Sequence, residues 1–220
     1  MDCRLRSWDA RAAKKDGKKM TLIDIIILLR SKLTHSEFQF SNRYYGISFS
    51  FTSADGANGA RFKAIDYNKH PNRWVTDVIP MTDEQEDLAF QEACRMADID
   101  NTIIWPHKTI FQGKNHQKYD YAGLLSHALK KSDHWWLNIV RFGLWSWTAF
   151  VKPDPDKAWC SEGCAYLIMT DHKILDKFCN RVPPDTLDPQ ELHELVKRLG
   201  QGQVMNHTPE RFRLKESEEK

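Results

Sequence analysis

Two stretches near the front of the chain alternate apolar and polar residues with period two, the pattern of strands with one buried face. They are THSEFQFS (34–41) and YGISFSFT (45–52), with Asn42 and Arg43 between them, so the spacing predicts a hairpin. In the first, Ser36, Phe38 and Phe40 share a face opposite His35, Glu37 and Gln39; in the second, Ile47, Phe49 and Phe51 oppose Ser48, Ser50 and Thr52. A polar face bearing His and Glu two residues apart suits a solvated surface or the wall of a cleft. SADGANGA (53–60) reads as a turn-rich loop, and 60–67 and 73–81 as further strands. A helix follows Thr82, with acidic residues in its first turn and apolar spacing through Leu88, Ala89, Ala93 and Met96; Cys94 falls on that packed stripe. Further helices are expected over 119–131, over Cys160–Met169, and from the Asp188 cap and Pro189 to Gly200. Strands first and helices later predict an α+β fold, a small antiparallel sheet packed against helices.

Length and composition narrow this picture. A chain of 220 residues suggests one domain, and eight Trp and eleven Phe supply a real core. The net charge of +2 makes no case for nucleic acid. Residues 1–19 and 205–220 are charge-rich and read as a flexible leader and a flexible tail around a domain at 20–204, with Met20 as a candidate second start. The run TLIDIIILLRSKL is too short to span a bilayer and contains Asp24 and Arg30, and no secretory signal is evident. Five cysteines at irregular spacing do not form a disulfide framework, so reduced thiols and a cytoplasmic setting are expected.

The chemistry centres on Cys160, which follows Trp159 and opens a helix. Unpaired N–H groups and the helix dipole there favour thiolate, and N–H groups near Ser161 are placed to hold an oxyanion. A thiolate needs a base, and His35 is the best placed histidine because its strand face also carries Glu37. A buried filler cysteine and a structural histidine are the plain alternatives. Cys160 and Cys164 share a helix face with His172 downstream, but no second close pair completes a zinc site, so neither metal nor organic cofactor is expected.

Taken in order, THSEFQF, DGANGARFKAIDY, KYDYAGLLSHAL, WCSEGCAYL and LDPQELHELV resemble the circularly permuted papain-like cysteine hydrolases of the NlpC/P60 superfamily, in their phage and bacterial forms. In those permuted members the His strand leads and the Cys helix comes late, as here. The resemblance covers roughly residues 22–199 and implies a permuted papain-like fold with Cys160 as nucleophile and His35 as base. For the third member it leaves Glu37, Ser48 and Ser50 open. It adds Tyr119 as a supporting donor, beside Ser161. The implied activity is a peptidase or amidase acting through an acyl-enzyme on a peptide, protein or acylated substrate, in the host cytoplasm if phage-encoded. A murein peptide hydrolase and a non-catalytic binding module with the same fold are the competing readings. The aromatic segment 135–151, with Trp135, Trp136, Trp145 and Trp147, is expected either as core or as an apolar lip for substrate.

Overall fold

The computed structural model describes residues 2–17, 19, 25, 27–28, 31–53, 57–100, 110–124, 157–169 and 187–201. The fold is α+β. A six-stranded antiparallel sheet is built from β1 (Arg4–Asp9), β2 (Leu33–Gln39), β3 (Ser48–Thr52), β4 (Gly59–Lys63), β5 (Trp74–Val78) and β6 (Ile110–Phe111), in the order β5-β1-β2-β3-β4-β6. Four helices are described: α1 (Ala10–Lys15), α2 (Asp83–Ala97), α3 (Cys160–Met169) and α4 (Pro189–Gly200). A short parallel pair joins β7 (Lys118–Tyr119) to β8 (Lys157–Ala158).

The hairpin forms where the alternation places it, with Phe38 opposite Phe49 and Gln39 opposite Ser48. Its connection is a 3₁₀ turn over Asn42–Tyr44, closed by Tyr45 and Gly46 at φ of 58° and 63°. Ser41 anchors this turn to α2: its N–H and hydroxyl donate to the buried Glu86 carboxylate at 2.7 and 2.9 Å. The apolar face carries Leu5, Phe38, Phe40, Phe49, Phe51 and Phe62, all fully buried. Phe90 of α2 packs edge-on against Phe40 at 5.2 Å and lies 5.4 Å from Phe62. Each fully buried Phe contributes roughly 1.5–3 kcal/mol, so this cluster dominates the core. α3 packs on β2 and β3, and α4 on β1, β2 and β5.

Three expectations need correction. Residues 4–9 are no flexible leader: β1 lies inside the sheet between β5 and β2, with Leu5 and Ser7 fully buried. In α2, Leu88 is 48% exposed and Phe90 takes its expected place in the core; the Thr82–Gln85 capping box fixes the helix phase. The helix expected from residue 119 begins later. Tyr119 is held in β7 and Asp120 caps a helical turn through Tyr121, its carboxylate accepting from Gly123 N–H at 2.8 Å. The α4 boundaries follow the sequence reading: Asp188 and Glu191 form a reciprocal capping box around Pro189. Cys94 is buried, as its place on the helix stripe requires, and burial pushes its thiol up to about 12. Trp135, Trp136, Trp145, Trp147, His172 and the tail from 205 onward lie outside the described residues. Among the described residues, no helix is long and apolar enough to cross a membrane.

Candidate active site

The polar face of the hairpin is not a solvated surface. Glu37, Gln39, Ser48, Ser50 and Arg61 are all buried, with Tyr67 packed beside them and hydrogen bonded to Ser48 at 2.6 Å. On this face His35 Nε2 lies 3.1 Å from Glu37 Oε1. Arg61 of β4 reaches the same carboxylate with both arms, Nη2 to Oε1 at 2.8 Å and Nη1 to Oε2 at 3.2 Å. Both partners of this ion pair are 2% exposed. Desolvation alone would push the Glu37 carboxyl up, but Arg61 and then His35 overcome it and hold it at about 2. Glu37 is therefore an ionised acceptor, and a carboxylate can only accept, so His35 Nε2 carries a proton. That leaves Nδ1 for the other neighbour.

The other neighbour is Cys160, the first residue of α3, which stands close enough to the His35 imidazole to influence its charge. Burial works against charge on His35, yet Cys160 and then Glu37 outweigh it and hold the imidazole up to about 9. The helix start is unusual in one respect. The first intrahelical bond runs from Gly163 N–H to Trp159 C=O at 3.0 Å, so Trp159 is the capping residue. An indole has a donor and no acceptor, so it cannot close the first N–H groups as Ser or Asp would. Glu162 reaches back to Trp159 N–H at 3.2 Å, which ties the turn from outside. The N–H groups of Cys160 and Ser161 thus sit where a helix offers donors to an anion.

Tyr119 completes the group. β7 pairs with β8 so that Tyr119 stands opposite Ala158, two residues before the thiol. Burial, then the neighbouring Cys160, push its phenol well above the ordinary range, so the hydroxyl remains a donor. The Tyr121 ring packs against it at a tilt, 4.8 Å between centroids, and Tyr121 is 46% exposed.

The structure thus brings together Cys160, His35, Glu37 and Tyr119, and adds Arg61, which the sequence reading did not single out. It does not bring in the two serines. Ser48 is engaged by Tyr67, and Ser50 donates to Ser36 C=O at 2.6 Å, so neither hydroxyl meets His35. The Ser161 hydroxyl also turns away and donates to Leu187 C=O at 2.7 Å, which leaves only its backbone N–H at the site. Cys164, one turn behind Cys160, is fully buried and its thiol is pushed well up by burial, then by Cys160, which separates it from nucleophilic chemistry. Among the described residues, no cluster of three or more His, Cys, Asp or Glu is arranged to hold a metal ion. No family model, curated protein or solved structure matches the chain.

Gly163 sets how closely α3 approaches the sheet. A Cβ there would fall 2.3 and 2.5 Å from Phe51 ring carbons, well inside contact distance. Gly163→Ala must lift the helix start, three residues from the thiol. The expected cost is about 1–3 kcal/mol in stability. Misplacing the thiol by about 1 Å would slow Cys160 acylation by roughly 10²-fold. Thermal melting and the acylation rate, read side by side, check this; a variant with unchanged rate would show that helix depth is not critical.

Proposed function

We propose that this protein is a cysteine-dependent hydrolase of the peptidase or amidase type, with a permuted papain-like arrangement of its His strand and Cys helix. One observation carries the reading: a single imidazole, hydrogen bonded to a buried, ionised carboxylate, neighbours a helix-start thiol. In this mechanism His35 takes the thiol proton and Cys160 Sγ attacks the carbonyl carbon. The oxyanion that forms is held by the N–H groups of Cys160 and Ser161 and by the Tyr119 hydroxyl. Collapse of the tetrahedral intermediate expels the leaving group, which takes its proton from the His35 imidazolium. Water then attacks the thioester, His35 takes the water proton, and the thiol is regenerated as the acid leaves. The described cysteines are all free, which suits a thiol enzyme of a reducing compartment such as the cytoplasm.

The test uses p-nitrophenyl acetate as acyl donor. Mass spectrometry should find the acetyl group on Cys160 well ahead of Cys94, and release of p-nitrophenol should stop in Cys160→Ala and His35→Ala. With the amide analogue p-nitroacetanilide, whose nitrogen must be protonated to leave, turnover should fall as pH rises through about 9, where the imidazolium that supplies that proton is lost. Equal acylation of Cys94, or an acylation rate indifferent to His35→Ala, would point to a binding module instead. Release of peptide from purified peptidoglycan would assign the substrate to the cell wall.

A further inference from the structure

Arg61 meets the site through the Glu37 carboxylate, and its place in the sheet is specific. In the β3–β4 register it stands opposite Ser50, and one step along the β2–β3 register brings Ser50 opposite Glu37. Ser50 is small and its hydroxyl is turned onto the backbone carbonyls of Ser36 and Phe51, at 2.6 and 3.1 Å. The guanidinium therefore crosses a whole strand and meets the carboxylate with a fixed fork. Glu37 Oε1 is the shared atom: it receives both His35 Nε2 at 3.1 Å and Arg61 Nη2 at 2.8 Å.

We propose that Arg61 is a positioning residue that locks the Glu37 carboxylate and, by sharing Oε1, limits how tightly the carboxylate holds the His35 proton, so that it sets the working pH range of the Cys160–His35 pair. The proposal rests on the hydrolase reading. An unshared buried carboxylate would retain the imidazolium too firmly for it to give its proton to a leaving group at neutral pH. The guanidinium removes part of that hold while keeping the carboxylate ionised and aimed. Its planar fork and permanent charge suit this task, and a lysine ammonium supplies the charge without the fork.

The experiment follows turnover of p-nitroacetanilide, whose leaving nitrogen needs the imidazolium proton, against pH in the full chain for wild type, Arg61→Gln and Arg61→Lys. In Arg61→Gln the alkaline limb should move up by about one pH unit, because a positive charge near the imidazole is gone. In Arg61→Lys the limb should stay near its wild-type position while turnover falls by about tenfold, as Glu37 loses its second anchor. An unmoved or lowered limb in a folded Arg61→Gln overturns the proposal, and so does wild-type turnover in Arg61→Lys, which decides alone if the Gln variant does not fold. Absence of His35-dependent acylation in wild type would instead remove the hydrolase reading itself.

Discussion

Glu37→Leu should destabilise the protein by about 3–5 kcal/mol, because it leaves Arg61 charged and buried with its principal partner gone. The double variant Glu37→Leu/Arg61→Met should recover most of that loss, since an apolar pair of similar volume carries no desolvation penalty. Both side chains are 2% exposed, so water cannot take over the missing partner's role. The acid side of the stability curve reports the same pair. Glu37 is held below its ordinary range, at about 2, so it binds fewer protons folded than unfolded. Its contribution is therefore present above the ordinary carboxylate pKa and is lost as pH falls toward about 2. His35 has the opposite sign: held up to about 9, it stabilises below its ordinary pKa and loses that contribution as pH rises through about 9. Urea melts of wild type and both variants between pH 3 and 10 read all of this. A double variant no more stable than the single would mean that the pair is favourable in its own right.

Period-two alternation is a local property, so β2, β3 and the side on which His35 and Glu37 stand were readable from the chain. Helix starts were readable for the same reason: Thr82 and Asp188 carry their capping partners three residues on. Arg61 was not, because its role depends on pairing register across three strands, and in ARFK it looks like any cation on an edge. Ser48 and Ser50 were plausible partners for His35 by strand parity alone. Only the positions of Tyr67 and the Ser36 carbonyl show where their hydroxyls go. Tyr119 was reached through resemblance; the physical reason for its place is the β7–β8 pairing, which no sequence period encodes. β1 was hidden by charge. Arg4 and Arg6 mark a solvated segment on composition, but Arg6 lies 4.4 Å over the Tyr67 ring and donates to Gln39 at 2.8 Å.

That hidden strand gives the second large effect. A chain started at Met20, without residues 1–19, should fail to fold cooperatively. β1 pairs with β2 from Arg4–Gln39 to Trp8–His35 and with β5 from Arg4–Val78 to Trp8–Trp74. Its removal strips the ladder partner from β2, the strand that carries His35 and Glu37, and leaves β5 without its neighbour in the sheet. Leu5 is fully buried and Cys3 is 4% exposed, so the apolar face loses part of its core as well. Leu5 alone contributes roughly 1.5–3 kcal/mol. The backbone groups it leaves unpaired on two strands add to that. The total is a large fraction of the 5–15 kcal/mol by which typical domains are stable. Bound or added separately, a peptide of residues 1–19 should restore part of the structure by completing the sheet. Limited proteolysis of the full chain should spare residues 4–9, and circular dichroism of the 20–220 chain should show no sharp melt. A cooperative transition in that shortened chain, within a few degrees of the full-length protein, would show that β1 is an accessory strand and that the sheet closes without it.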